Sequence, residues 1–525
     1  MGKTFLLDCT LRDGGYINDW RFGHDCINAI VNKLAQTGIE IIEMGFIRGK
    51  KYDPDVTLFP NIDSVKAAIG KKESSIMYVG MIDMNNPVPI DCLNYYDGSS
   101  LDGVRVIFKK EKLKDAYIYC RKIKELGYKL FVNFVSTDAY SDKEFIEGIE
   151  LFNDLEPYCV AIVDTFGMIK RKHFKRLVSI ADNNLTENVA LGFHAHNNLQ
   201  QAFGNAETLV EMNLKRNVII DACVFGMGRG AGNLNLELFA EYMNDNYETK
   251  YRIEPMLEIM DEYLSGFYHN KFWGYSLPLY ISASLGCHPN YAIYYADKNS
   301  LTEKAFYEIM QNMSDEDKRE FSTEKAERYY RKYFENRIDD RETVNVLKHG
   351  LCGKKVVLIA PGQSIIRYEN EILSNIDSST EVITVNYYDE KWKPKYIFTS
   401  NIRRFAKLLE QNVENIMIAT SNIPDCYKAK YVVDFSSYID GEKEVFANSG
   451  LMLLRLLAKL EVSEVLVAGM DGYRTTNSEN YINENFEASH VLKTDNRNAL
   501  ISQELIQISR QVKIKFITPS KYLFE

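Results

Sequence analysis

Over roughly the first 240 residues, short apolar runs alternate with amphipathic segments. The runs are Phe5–Leu11, Ile39–Ile47, Ser75–Ile82, Gly103–Phe108, Lys129–Ser136, Cys159–Phe166, Val189–His196 and Val218–Met227. Between them, His24–Gly38, Lys112–Gly127, Asp142–Leu155 and Leu199–Met212 carry apolar residues at helical spacing. Near-continuous apolar strands alternating with helices predict a parallel sheet covered by helices. Eight such repeats predict a (β/α)₈ TIM barrel over residues 1–245. An open doubly wound sheet would be expected to show fewer strands and a Gly-rich first turn.

The pattern then changes twice. Residues 246–350 show helical spacing at Glu254–Phe267, Leu301–Met313 and Thr323–Phe334, with dense aromatics from Phe267 to Tyr295. This predicts a helical extension packed on the barrel. Residues 351–525 return to α/β character. Val356–Ala360 leads into Pro361-Gly362-Gln363-Ser364, and further strand-like runs lie at Glu381–Val385, Ile416–Thr420, Lys430–Phe435 and Glu464–Ala468. Helices are expected at Arg403–Gln411, Ser449–Leu460 and Asn498–Gln511. The expectation is a Rossmann-like domain of ordinary size.

Composition removes several function classes. The formal net charge of the 525-residue chain is −10 and no long basic run occurs, which argues against nucleic acid or an anionic membrane surface as partner. No run of about 18 apolar residues exists, so no membrane span is expected. The apolar stretch at the N-terminus is too short for a signal peptide and is interrupted by Asp8. The nine cysteines are scattered without a Cys-x-x-Cys pair, which suits reduced thiols and a cytoplasmic location.

Candidate chemistry sits where a barrel keeps it, at the C-terminal ends of strands. Asp13 closes the first run. His194 and His196 close the seventh, and two residues apart on a strand they face the same way. One carboxylate and two imidazoles make a three-ligand divalent site with open positions. With no thiolate in the set, Mn²⁺ or Mg²⁺ is favoured, and Zn²⁺ also fits. Arg12, beside that carboxylate, is placed to stabilise an oxyanion. The loop Gly226–Asn233 follows the eighth run, and its glycines let backbone approach a ligand. Glu43, Asp164 and Thr165 point toward the same mouth, as substrate contacts or as partners that orient a ligand histidine. Asn133 faces the barrel interior by alternation, as a substrate contact or a structural hydrogen-bond partner.

Three segments together, Leu7–Gly14, Phe193–Asn197 and Gly226–Asn233, resemble the metal-dependent TIM-barrel aldolases and lyases, among them 4-hydroxy-2-oxovalerate aldolase, HMG-CoA lyase and isopropylmalate synthase. The resemblance covers residues 1–245 and is nearest to the 4-hydroxy-2-oxovalerate aldolase branch. It implies that Asp13, His194 and His196 bind the metal, that Asn233 reaches it, and that Arg12 stabilises an enolate. It further implies cleavage or formation of a carbon–carbon bond between a 2-oxo acid (a pyruvate-like unit) and an aldehyde. One departure stands out: the aldolase has a histidine base three residues after the motif Asp, where this chain has Tyr16. Tyr16 would serve as acid or base only with a depressed pKa. The alternatives are a Claisen-type acyl-CoA synthase on the same barrel and a non-catalytic ligand-sensing or scaffold protein. A homo-oligomer is compatible with all three.

In residues 351–525, Gly362 and the helix start at Ser364 could hold an anion. Together with Asn386, Asn448-Ser449-Gly450 and the Asp471-containing turn Gly469–Tyr473, they resemble bacterial sialyltransferase-like domains. That resemblance implies a cytidine nucleotide, Gly362, Ser364, Asn386 and Asp471 as binding residues, and His490 as a candidate transferase base. It would place the chain in surface-polysaccharide precursor metabolism.

Overall fold

Eight strands pair side by side, all parallel: β1 (Thr4–Asp8), β2 (Ile41–Ile47), β3 (Met77–Asp83), β4 (Gly103–Phe108), β5 (Lys129–Phe134), β6 (Cys159–Asp164), β7 (Ala190–Ala195) and β8 (Val218–Ala222). In the computed structural model β1 pairs with β8 along its whole length, from Thr4↔Val218 to Asp8↔Ala222, and with β2 at Leu7↔Ile41. The sheet therefore closes into the expected barrel, with one short extra strand, Leu58–Phe59, on β2. The structure describes residues 2–49, 51–248, 250–296, 303–334, 337–439, 448–474, 480–483 and 494–522. The chain divides into two units, Met1–Pro289 and Asn290–Glu525.

Alternation explains how the barrel is filled. Outward residues such as Leu6, Ile42, Val132, Ile162 and Leu191 pack beneath the surrounding helices. Inward residues Leu7, Ile41, Val79, Phe131, Cys159, Ala190 and Ile219 form a separate apolar plug. Two residues further along their strands, Ile41 gives way to Glu43, Phe131 to Asn133 and Ile219 to Asp221, all buried. The barrel is thus apolar below and charged above, at the end where the loops meet.

The first apolar run does not stay a strand to Leu11. β1 stops at Asp8, whose carboxylate accepts from Thr10 N (3.0 Å) and Thr10 Oγ1 (2.6 Å). This Asx-type turn diverts the backbone into a helical turn, Thr10–Asp13. Arg12 and Asp13 are therefore presented by a turn and not by the strand itself. Helices at Ile62–Ile69, Arg171–Asn184 and Leu236–Asn246 complete the alternation. In this unit the helical segment beyond the barrel runs from Glu254 to Asn270, with a π turn at Met260–Leu264, and continues at Leu277–Ser284.

The second unit begins with helices, including Glu303–Gln311, Thr323–Phe334 and Arg341–Leu351. Its sheet comprises β9 (Lys355–Ile359), β10 (Thr380–Val385), β11 (Tyr396–Thr399), β12 (Met417–Thr420), β13 (Tyr431–Val433), β14 (Glu464–Ala468) and β15 (Ile514–Phe516). The order is β13-β12-β11-β10-β9-β14-β15, all parallel. β11 and β15 were not among the strand-like runs read from the sequence. The strand order reverses beside β9, so the switch point of this open sheet lies between β9 and β14.

Candidate functional site

Asp13, His194 and His196 come together. All three are buried, and their ligand atoms lie within 4.8 Å of one another. His196 Nδ1 is 3.8 Å from Asp13 Oδ2, and the two imidazole rings are 5.3 Å apart and perpendicular. Burial opposes ionisation of Asp13, but the Arg12 charge, both imidazoles and a hydrogen bond from Asn233 outweigh it and hold the carboxyl well below the usual range. Burial also lowers His196 to about 3, so its imidazole is neutral with a free lone pair.

The donor set fits a divalent cation. His196 Nδ1 and Asn233 Oδ1 are buried without a hydrogen-bond partner. Orphaned acceptors of this kind are rare in protein interiors. Asn233 Nδ2 donates to Asp13 Oδ2 at 2.5 Å and to the Met227 carbonyl at 3.2 Å, so its orientation is set and Oδ1 is left over. A Cβ at Gly228 would lie 2.1 Å from Asn233 Nδ2 and 2.9 Å from Asp13 Oδ2. Glycine is therefore required there by close approach to the proposed ligands. A second grouping, Cys9, His194 and Asp221, shares His194. It is the weaker site, because Arg105 already holds Asp221 and burial pushes the Cys9 thiol up, keeping it protonated.

A buried chain of alternating charge supports the ligands. Arg12 bonds Asp13 through Nη1 and Glu43 Oε2 through Nε at 2.8 Å. Arg105 Nη1 lies 3.1 Å from the same Glu43 oxygen, and Nη2 bonds Asp221 Oδ2. Asp221 Oδ2 in turn meets His194 Nδ1 at 3.1 Å. Burial opposes ionisation of Asp221, but Arg105 and His194 overcome it and the carboxylate stays charged. Because Asp221 only accepts, Nδ1 carries the proton and Nε2 keeps the lone pair for a metal. The chain holds three carboxylates against two guanidiniums, an excess of negative charge that a cation balances. Arg105 and Asp221 were absent from the sequence-based candidates. The signal for them was a charge inside an apolar strand at an inward position.

Replacing Asp221 with Asn should keep the fold and lower metal affinity about 10–100-fold, because the acceptor that orients the imidazole loses its negative charge. Metal titration of the purified variant checks this, and wild-type affinity would show that Asp221 serves only to neutralise Arg105.

The other predicted residues fall in three groups. Glu43 joins the charge chain directly, with Oε1 left buried and unpartnered. Asn133 is buried on the inward face of β5 with its Oδ1 unpartnered. Asp164 has outward parity on β6, and its carboxylate accepts from Met168 N and Ile169 N, both at 2.9 Å. Burial pushes Asp164 up to about 7 despite those bonds. Thr165 Oγ1 accepts from Ser136 N at 2.7 Å. Both side chains hold loops: alternation turns Asp164 outward, and Thr165, past the end of the strand, is engaged by Ser136.

Tyr16 stands on the Gly15–Asn18 turn near the cluster, 4.8 Å from Trp20 between ring centroids. Burial and then the Asp13 charge push the phenol up, not down.

In the second unit, Gly362, Ser364 and Asp471 meet at the switch point. Ser364 donates to Asp471 through its backbone N (2.8 Å) and its Oγ (2.5 Å). The donors expected to face a phosphate are thus engaged by a carboxylate. Asn386 lies apart from them, donating to Ser449 Oγ and accepting from Thr399 Oγ1, both at 3.0 Å. His490 lies outside the described residues.

A family model described as HMGL-like matches residues 108–261. The 4-hydroxy-2-oxovalerate aldolase of Thermomicrobium roseum is 26% identical over 265 residues, 48% of this chain and 69% of that protein. The enzyme of the same name from Roseiflexus castenholzii is 26% identical over 268 residues, 50% of this chain and 75% of that one. Among solved structures, HMG-CoA lyase from Brucella melitensis aligns with a TM-score of 0.41 and 15% identity, over 51% of this chain and all of that one. Residues 108–261 are thus similar to an HMGL-like family model, and the relatives that the chain resembles include 4-hydroxy-2-oxovalerate aldolases.

Proposed function

We propose that the barrel is a divalent-metal-dependent aldolase or lyase that makes or breaks a carbon–carbon bond next to a 2-oxo acid. The observation that carries this reading is the buried Asp13–His194–His196 cluster with Arg12 bonded to its carboxylate. Asp13, His194 and His196 would hold the ion, with Asn233 Oδ1 beside them. When bound, such an ion supplies Lewis-acid polarisation of the 2-oxo acid. Arg12, fixed by Glu43 and Asp13, presents a guanidinium that offsets negative charge developing on the substrate oxygen. Tyr16, held protonated, is a hydrogen-bond donor at the mouth. The burial of the cluster excludes water from the reacting oxygens. Residues 1–245 form the catalytic domain in this reading. A cytoplasmic location is supported by nine scattered cysteines without a Cys-x-x-Cys pair.

Incubation with Mn²⁺, pyruvate and an aldehyde should give a carbon–carbon bonded product, while acetyl-CoA with a 2-oxo acid should not. Turnover of the second pair alone would move the barrel to the Claisen-type synthases. A cytidine phosphate in residues 351–525 is the second part of the proposal, supported by the meeting of Gly362, Ser364 and Asp471 at the sheet's switch point. It has to displace the Asp471 carboxylate from Ser364. Calorimetry on the full chain should therefore show weak binding that strengthens in Asp471→Asn, and no heat with either protein would leave Asp471 as a purely structural cap.

A further inference from the structure

Two guanidiniums at the barrel mouth are not used by the mechanism above. Arg229 lies on the Gly226–Asn233 loop, with Cζ 5.8 Å from the Tyr16 ring centroid, and its Nη2 is buried without a hydrogen-bond partner. Arg48 follows β2 and stacks on Phe46 (4.1 Å) and Trp20 (5.0 Å). Those two rings pack on each other at 5.8 Å and on Tyr16 at 4.8 Å (Trp20) and 6.5 Å (Phe46). Both cations are near enough to Tyr16 to act on its phenol. Among the described residues neither Arg48 nor Arg229 is in an ion pair, whereas Arg12 is matched by Asp13 and Glu43. His288, 5.2 Å from Phe166, faces Arg229 from the helical segment. Burial, then Arg229 and Lys109, lower it to about 3, so it stays neutral. Among the described residues, then, no carboxylate pairs with either guanidinium, in a chain whose net charge is −10.

We propose that Arg48 and Arg229 form a second anion subsite beside the metal cluster, and that the aldehyde joined to the 2-oxo acid carries a carboxylate or a phosphate. The inference rests on the aldolase reading. There, the carboxylate of the pyruvate-like unit lies at the Asp13–His194–His196 cluster. The two spare guanidiniums lie beside Tyr16, next to that cluster, where a second substrate can meet the first. A guanidinium is suited to such groups, since its planar fork gives two parallel charged hydrogen bonds to a carboxylate or phosphate. Leaving two cations uncompensated in a partly buried mouth is costly unless a ligand matches them.

The test uses the full chain with Mn²⁺ and pyruvate, and four aldehydes in two pairs: propanal against succinic semialdehyde, and glyceraldehyde against glyceraldehyde 3-phosphate. The charged member of at least one pair should be favoured in kcat/KM by about 10–100-fold, the equivalent of one or two charged hydrogen bonds. The pair that shows it separates carboxylate from phosphate. Arg229→Met and, separately, Arg48→Met should each erase most of that preference through KM, and Arg229→Lys should restore part of it. Neutral aldehydes used as well as charged ones would overturn the subsite and leave the aldolase reading intact. Failure of every aldehyde, together with no metal-dependent exchange of the pyruvate methyl protons, would sink the aldolase reading instead. Inorganic phosphate titrated calorimetrically at low salt then decides the subsite by itself. Binding that weakens in Arg229→Met supports it, and no binding, or equal binding by the variant, overturns it.

Discussion

Full-length protein carrying His194→Ala should no longer be stabilised by Mn²⁺, and its turnover should fall to the level of metal-free protein. Three ligand atoms within 4.8 Å become two, and the lost one is the imidazole whose lone pair is aimed by Asp221. The fold should survive, because Asp221 keeps its bond to Arg105 and the apolar plug beneath is untouched. An ion at 100 times its dissociation constant stabilises the native state by about 2.7 kcal/mol. For a unit of this size that raises the metal-responsive melting transition by roughly 5–10 °C. Wild-type protein should show that rise on adding Mn²⁺, and the variant should show almost none. Equal metal content and an equal rise in both proteins would remove His194 from the site.

Arg12→Ala should lower turnover by ~10²–10³ while the metal is retained, as for other donors that meet charge only in the transition state. Arg12 also belongs to a buried network, so its removal has a structural cost. Breaking such a pair typically destabilises by about 3–5 kcal/mol. Here the loss is moderated on both sides. Glu43 keeps Arg105 at 3.1 Å, and Asp13 keeps the Asn233 hydrogen bond. Activity should therefore be measured well below the variant's melting transition. Arg12→Lys separates charge from shape: it keeps the charge but lacks the fork that spans Asp13 and Glu43. Full activity in Arg12→Ala would show that the guanidinium only balances buried carboxylates.

The barrel was legible because parallel strands covered on both faces read as continuous apolar runs, and eight of them leave few alternatives. The Asp13, His194 and His196 cluster was legible for the same reason, since each closes a run and the topology gathers run ends at one mouth. Arg105 and Asp221 were harder. Each is a charge inside a strand, and only the pairing partner 116 residues away makes such a residue affordable. Asp164 shows the opposite failure. Its place after β6 suggested the mouth, but the period-two alternation turns it outward to cap Met168 and Ile169.

By itself, then, the sequence determined the order of elements, the closed barrel and which side chains gather at its mouth as candidate ligands, because hydrophobic periodicity and strand-end position are local properties of the chain. It also placed Gly362, Ser364 and Asp471 in two separate turns of a second parallel sheet. Tertiary structure alone decided what those groups meet. It put Asp8 under Thr10, so that Arg12 and Asp13 sit on a turn. It linked Arg12, Glu43, Arg105, Asp221 and His194 into one charge chain, and it closed Asp471 onto Ser364. Buried charges and hydrogen bonds are satisfied by partners far apart in sequence, at distances set by strand register and barrel closure, and no local pattern encodes those.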